Sequence, residues 1–129
     1  MAEPKDRLYS KTHEWVKIDG TTATMGITQF AQEQLGDVVF VELAAVGKGV
    51  KAGESIGNIE SVKAVSEIFS PVAGEVGEVN GELESRPELV NQDPYGDGWL
   101  VRLSVAAGAG DGLMDAAAYE TFLAEEGAH

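Results

Sequence analysis

The stretch Glu60-Ser61-Val62-Lys63-Ala64 lies between two segments, 54–61 and 66–70, that are rich in strand-forming residues. Short apolar runs bounded by turn residues predict strands, so the two segments predict a β-hairpin with Lys63 at its tip. Lysine is an unusual choice for a tight turn, where glycine, asparagine, aspartate and proline have the geometric advantage. The pattern therefore predicts that the Lys63 amine is held out into solvent. From position alone, an ordinary solvated lysine accounts for this placement as well as a functional amine does.

The remaining patterns predict a mainly β fold with two helical pieces. Thr28 has the hydroxyl of a helix N-cap and Gly36 the backbone freedom of a helix stop, which predicts a short helix over 28–35. A Gly/Ala linker at 106–112 precedes a predicted C-terminal helix over 113–125, with Leu113, Ala116, Ala117, Tyr119 and Leu123 available to cover the sheets. The other predicted strands are 13–18 and 21–27 across a turn at Asp19-Gly20, a buried strand at 37–43, and segments 72–79 and 99–105.

Composition excludes several classes of function. The 129-residue chain has 22 acidic and 9 basic residues, a net charge of −13, which disfavours binding to a phosphate backbone and predicts no nucleic-acid partner. Such acidity favours solubility and also steering toward basic patches on partner proteins. No apolar run approaches the ~20 residues that span a bilayer, and residues 1–6 lack a signal or transit pattern. We expect a cytoplasmic protein, or a mitochondrial matrix protein if the chain is a processed eukaryotic one.

Sites for classical enzymology are scarce. The chain has no cysteine, so any dithiol chemistry has to come from an attached group. Its two histidines, His13 and His129, do not predict a metal cluster or a Ser-His-Asp arrangement. No glycine-rich phosphate loop follows a strand, and nothing selects a pair of carboxylates for hydrolysis. The expectation is a protein that is not an enzyme and holds no metal.

The segment from Gly47 to Asn80 resembles the attachment site of lipoyl and biotinyl carrier domains. The resemblance rests on Val46-Gly47-Lys48-Gly49-Val50, on the Glu60–Ala64 stretch, and on Ser70-Pro71-Val72-Ala73-Gly74-Glu75-Val76. In that superfamily a ligase acylates the lysine, which implies that Lys63 is the attachment site and that Glu60, Ser61, Val62 and Ala64 form the hairpin the ligase recognises. Biotin carriers usually have methionine on both sides of the lysine. The neighbours Val62 and Ala64 therefore favour lipoate.

The flanking segments are similar to one family in this superfamily, the H-proteins of the glycine cleavage system. They include Thr12-His13-Glu14-Trp15-Val16, Leu35-Gly36-Asp37-Val38-Val39-Phe40-Val41-Glu42-Leu43, Pro87-Glu88-Leu89-Val90-Asn91 and Gly98-Trp99-Leu100. The resemblance implies a flattened barrel or sandwich of two antiparallel sheets. It also implies one domain, 1–129, with a lipoyl-like core at about 37–105, an N-terminal hairpin extension at 8–27 and a C-terminal helical extension at 111–126.

The same resemblance implies a carrier rather than a catalyst. Lipoate on Lys63 would accept an aminomethyl group from a pyridoxal-phosphate glycine decarboxylase and deliver it to a tetrahydrofolate-dependent aminomethyltransferase. A dihydrolipoamide dehydrogenase would then reoxidise the arm, and a lipoate ligase or a lipoyl/octanoyl transferase would attach it. The expected protein is a monomer. Two alternatives stay open: a lipoyl carrier that relays lipoate to other enzymes, and an unmodified acidic binding module of the same fold.

The family also implies a cleft in which the loaded arm folds back. An aminomethyl thioether loses its group readily to water, so a site that pairs the cationic amine with an acid and excludes solvent would protect it. Ser10, His13, Glu14 and Glu67 are the candidates for this cleft. We expect Glu14 to protect the loaded arm and to contribute little to folding, although plain surface solvation explains either acid as well.

Overall fold

The computed structural model describes residues 4–127 and places nine strands in two antiparallel sheets. A six-stranded sheet has the order β1-β2-β3-β9-β8-β5, and a three-stranded sheet has the order β4-β6-β7. The strands are β1 Leu8–Tyr9, β2 Glu14–Asp19, β3 Thr22–Ile27, β4 Val38–Leu43, β5 Gly49–Val50, β6 Ser55–Ser61, β7 Val65–Phe69, β8 Gly74–Val79 and β9 Val101–Ser104. The predicted sandwich of two antiparallel sheets is confirmed.

Four helices accompany the sheets: α1 Gln29–Leu35, α2 Glu82–Ser85, α3 Leu89–Gln92 and α4 Ala116–Gly127. The predicted cap of α1 is confirmed, because the Thr28 hydroxyl accepts a hydrogen bond from the backbone N–H of Ala31 at 3.2 Å. Gly36 ends the helix with a positive φ of 78°, a conformation that glycine adopts at little cost. Within residues 4–127, the helices are all too short or too polar to cross a membrane.

The predicted N-terminal hairpin is part of the larger sheet. β2 pairs with β3 through six residue pairs, from Glu14 opposite Ile27 to Asp19 opposite Thr22. β3 then pairs with β9, so the hairpin continues the sheet that β8 and β9 form. Residues 8–27 therefore share one hydrogen-bonded sheet with strands of the proposed 37–105 core.

The strand predicted at 37–43 is present as β4, but the prediction that it is buried was wrong. It lies at the edge of the three-stranded sheet, and Val39 and Phe40 are about half exposed. The register shifts between Val38 and Phe40, which inserts Val39 as an extra residue and turns two adjacent apolar side chains outward. Apolar composition alone does not tell a buried strand from one with an exposed apolar face.

The core fills the space between the two sheets, with Val16, Met25, Ile59, Val76 and Leu103 essentially inaccessible to solvent. A second, smaller cluster joins the two ends of the chain. Tyr9 stacks on Tyr119 of α4 with ring centroids 4.7 Å apart, and Tyr9 also exchanges backbone hydrogen bonds with Met114. An aromatic pair of this kind adds about 0.5–1.5 kcal/mol beyond its buried area. Of the residues predicted to cover the sheets, Ala117 is exposed.

Candidate functional site

The tip of the β6–β7 hairpin is built by the side chain of Ser61. The Ser61 hydroxyl accepts hydrogen bonds from the backbone N–H groups of Lys63 at 3.3 Å and Ala64 at 3.1 Å, and it donates to the Ala64 carbonyl at 3.2 Å. The Ser61 backbone N–H donates to the same carbonyl at 2.8 Å. A serine that bridges its own turn removes the need for glycine or proline at the tip. This explains how lysine occupies a tight turn.

A second contact fixes the tip against the rest of the protein. The backbone N–H of Val62 donates to the carbonyl of Asp37 at 3.0 Å. Gly36, beside it, lies under the Lys63 side chain, since a Cβ at residue 36 would stand 3.2 Å from Lys63 Cε. Lys63 itself is exposed, so its amine reaches solvent from a tip that is held at two points.

A cavity of about 310 Å³ opens beside this tip. That volume is at the lower end of the range for small-molecule sites, and it would accept a slender, mostly apolar chain. Residues from the β1–β2 connection, the end of β3, α1, the hairpin tip and β7 line it: Thr12, His13, Ile27, Phe30, Ala31, Gln34, Leu35, Ala64, Val65, Ser66, Glu67 and Ile68. The cavity therefore begins at Ala64, the residue after the lysine, and has two ionisable residues in its wall.

His13 is positioned from three sides. Its backbone has a positive φ of 68°, which is uncommon outside glycine and turns the chain sharply before β2. Its Nδ1 lies 2.8 Å from the hydroxyl of Tyr119, and its ring packs 4.6 Å from that of Phe30. The same Tyr119 hydroxyl lies 2.8 Å from Oγ1 of Thr28. The C-terminal helix thus holds the cavity wall in place through Tyr119.

Of the four predicted cleft residues, only His13 and Glu67 line this cavity. Glu14 is buried, and its carboxylate accepts hydrogen bonds from the Ser10 hydroxyl at 2.5 Å, from the Thr12 hydroxyl, and from the Phe69 backbone N–H at 3.2 Å. Ser10 also accepts a hydrogen bond from the backbone N–H of Glu14 at 3.1 Å. Ser10 and Glu14 therefore do not line the cavity. They lie behind Thr12, which forms part of the cavity wall and contacts both of them.

Burial of the Glu14 carboxyl raises its pKa above the usual value of 4.5, because the charged form loses hydration. The hydrogen bonds from Ser10, Thr12 and Phe69 act in the opposite direction, since they favour the carboxylate. This burial contradicts the interpretation of Glu14 as a solvated surface acid. A contact of Glu14 with a loaded arm stays a prediction.

Sequence reasoning missed Thr12, Phe30 and Gln34 as cavity residues. A partial signal existed for Phe30 and Gln34, which lie one helical turn apart on α1, the element that ends at Gly36 beneath the lysine. Thr12 carried no such signal, because its place follows from the turn at His13. Among the described residues, no group of three or more histidine, aspartate or glutamate side chains converges as a metal site.

A small two-sheet β fold that displays one lysine on a rigid hairpin beside a narrow cavity defines a protein of the swinging-arm carrier class. A sequence model described as glycine cleavage H-protein matches residues 7–126 of the chain. The chain belongs to the glycine cleavage H-protein family.

Individual relatives agree with the family match. The chain is 56% identical over 126 residues to a glycine cleavage system H protein from Nitratidesulfovibrio vulgaris, with 98% of each chain covered. It is 63% identical over 107 residues to one from Rubrobacter xylanophilus, covering 82% of this chain and 85% of the relative. The crystal structure of a glycine cleavage system H protein from Mycobacterium marinum superposes with a TM-score of 0.85 at 39% identity, covering 97% of this chain and 99% of that one. The similarity thus extends over nearly the whole fold.

Proposed function

We propose that this protein is the lipoyl carrier of a glycine cleavage system and that Lys63 is its single attachment site. The observation that carries the proposal is the hairpin tip, where Ser61 and Asp37 hold the backbone and leave the lysine exposed. A tethered arm converts each meeting with a partner into a local search at high effective concentration. A rigid attachment point with a mobile arm is the arrangement that such a search needs.

Attachment requires only that Lys63 be presented as a nucleophile. The lone pair of its Nζ attacks the carbonyl carbon of an activated lipoyl group, such as an acyl adenylate or a thioester. An amide bond forms, the activating group leaves, and the amine gives up one proton. When bound, lipoate would supply a dithiolane whose S–S bond accepts the electron pair left on the aminomethyl carbon when glycine loses CO2, so that one sulfur would carry the aminomethyl group and the other a proton.

The residues of this chain act on the arm by position. Gly36 leaves room for the stem of Lys63, and the cavity that starts at Ala64 offers apolar walls from α1 and β7. Glu67 and His13 in the wall would face a cationic amine that enters it, and Glu14 lies behind Thr12, whose hydroxyl donates to the Glu14 carboxylate. Such a pocket reduces access of water to the amine and stabilises its charge.

The proposed partners are a pyridoxal-phosphate glycine decarboxylase, a tetrahydrofolate-dependent aminomethyltransferase, a dihydrolipoamide dehydrogenase, and the enzyme that acylates Lys63. The proposed carrier is a monomeric, single-domain cytoplasmic protein that performs no catalysis of its own. Its net charge of −13 would draw it at long range to any partner surface that carries basic patches.

Intact mass and peptide mapping of protein purified from its native host test the proposal. One lipoyl adduct on the Lys63 peptide is expected, and Lys63→Arg should remove it while the other lysines serve as internal controls. An adduct on Lys48 or Lys51 would contradict the site. An unmodified mass from cells that make lipoate would favour the acidic binding module. A lipoylated protein that supports no glycine cleavage with the purified partners would favour the relay.

A further inference from the structure

Most of the exposed large apolar side chains are concentrated around the lysine hairpin. Within residues 4–127, six large hydrophobic side chains are exposed. Four of them belong to β4, the hairpin tip and the start of β7, namely Val39 at 51%, Phe40 at 52%, Val62 at 69% and Val65 at 65% exposure. A concentration of this kind on a monomer marks an interaction site more often than chance placement does.

The register of the three-stranded sheet brings these residues onto one face. Phe40 pairs with Glu60, and Glu60 pairs with Val65, so the three side chains form a row across β4, β6 and β7. Val39 joins them because the bulge at this point turns it outward beside Phe40. We call Val39, Phe40, Val62 and Val65 the hairpin patch. Val39, the extra residue of the bulge, has no register partner on β6, and it adds a second apolar side chain to the exposed face.

Acidic side chains surround the hairpin patch. Glu60 stands in the middle of the apolar row, and Glu42 and Glu67 flank Asn58 in the next row away from the tip. All three glutamates are exposed, and so is Asp37 next to the tip. A surface that fits the patch would have an apolar seat for Phe40 and Val65 with basic side chains around it.

We propose that the hairpin patch is the docking surface for the enzyme that acylates Lys63, an inference that rests on the function proposed above. The reason is the short distance that the Lys63 side chain allows between the hairpin and the enzyme that acylates it. An enzyme that acylates the bare lysine has only that side chain between its own reacting atoms and the hairpin, so it has to cover the residues next to the tip. Enzymes that act on the loaded arm meet a chain that is longer by the whole lipoyl group, and they can work from farther away.

The test compares matched substitutions at exposed valines and at Phe40. Val65→Thr removes apolar surface and keeps the β-branched shape that strands favour, and Phe40→Thr replaces the exposed ring with a smaller, polar residue that strands also accept. Val46→Thr is the control, because Val46 is 63% exposed in the loop after β4, at the opposite end of the strand from the tip. Each protein is incubated with a purified lipoate ligase, lipoate and ATP, acylation is followed by intact mass, and folding is followed by melting.

A second measurement separates docking from chemistry. Each substitution is combined with Lys63→Arg, which cannot be acylated, and the product is used as a competitive inhibitor of wild-type acylation. We expect Phe40→Thr and Val65→Thr to lower kcat/KM about ten-fold, mainly through KM, and to raise the inhibition constant by a similar factor. Val46→Thr should change neither quantity.

The outcomes distinguish this inference from the proposed function. If the wild-type protein is not acylated at Lys63, the proposed function fails and the docking surface with it. If the wild type is acylated and the patch variants are acylated equally fast, only the docking surface is wrong. Normal acylation with slower aminomethyl transfer by the partner enzymes would also overturn it, because the patch would then serve a different partner.

Discussion

The carboxylate of Glu14 accepts a hydrogen bond from the backbone N–H of Phe69 at 3.2 Å and thereby joins the two sheets. Glu14 begins β2 in the six-stranded sheet, and Phe69 ends β7, an edge strand of the three-stranded sheet. An edge strand has N–H groups without a neighbouring strand, and a buried one needs another acceptor. Glu14 supplies that acceptor next to the cavity wall.

The first prediction is that Glu14→Ala destabilises the fold, which replaces the expectation from the sequence that Glu14 contributes little to folding. The alanine protein buries the Phe69 N–H without this acceptor and leaves Thr12 and Ser10 without the carboxylate, at a cost of about 1–3 kcal/mol. Glu14→Gln keeps an oxygen acceptor and should lose less. Chemical unfolding measures both, with the exposed Glu120→Ala as the control. If Glu14→Ala and Glu120→Ala had equal free energies of unfolding, Glu14 would contribute no more to stability than an exposed surface charge.

The second prediction concerns pH. The folded state binds the Glu14 proton more tightly than the unfolded state, since burial raises the pKa of this carboxyl above 4.5. Unfolding therefore releases a proton in the window that begins at the unfolded pKa, and the Glu14 contribution to stability falls as pH rises through the folded pKa. The difference in unfolding free energy between wild type and Glu14→Gln should decrease upward from about pH 4.5, whereas a flat difference would mean an unshifted pKa. Using the difference cancels the shared contribution of the other acids.

The third prediction is that Ser61→Ala slows acylation of Lys63 more than it affects folding. The alanine removes three hydrogen bonds of the turn, but the Ser61 backbone N–H still reaches the Ala64 carbonyl. A looser tip presents the amine in more orientations, and we expect a fall in kcat/KM of about ten-fold, or ~1.4 kcal/mol. Ser85→Ala, an exposed serine on α2 away from the hairpin, is the matched control. Equal acylation of both variants would show that the ligase orders the turn itself.

Local chemistry accounts for the elements that could be predicted from the sequence. The Thr28 cap, the Gly36 stop and the turn before β3 each depend on residues within a few positions of one another. The face of β4 could not be predicted, since a one-residue bulge against β6 decides it. The short strands β1 and β5 were also not predicted. Each has only two residues, too few to show an alternating pattern, and its pairing depends on a strand elsewhere in the chain.

The same distinction between local sequence signals and long-range contacts applies to the residues of the candidate site. Lys63 and its hairpin follow from a contiguous motif, so their place at an exposed tip could be expected. The partner of Glu14 lies 55 residues away at Phe69, and no pattern around Glu14 indicates that contact. Burial of a single glutamate in a polar stretch is decided by what the other sheet places beside it. Glu67 was easier to place, since it follows Lys63 by four residues and lies on β7 just beyond the tip.

The last prediction is that Glu67 and Glu14 protect an aminomethylated arm to different extents. Without protection, water cleaves the aminomethyl thioether to the free thiol, formaldehyde and ammonia. Glu67 is exposed in the cavity wall, so its pairing with the amine contributes about 0.2–1 kcal/mol and is weakened by salt. Glu67→Gln should therefore speed the loss by at most about five-fold, and high salt should abolish the difference.

Glu14 is buried behind Thr12. The Thr12 hydroxyl donates to the Glu14 carboxylate, and Thr12 also lines the cavity. Glu14 reaches the amine only when the Thr12 side chain turns aside, and a charge-assisted contact formed in that way is worth about 1.5–3 kcal/mol, so with this contact Glu14→Gln should speed the loss by about ten-fold or more at any salt concentration. The measurement is the first-order release of ammonia from each purified aminomethylated protein, with melting followed in parallel and Glu42→Gln on the outer face as control. Three equal rates would place the loaded arm outside this cavity.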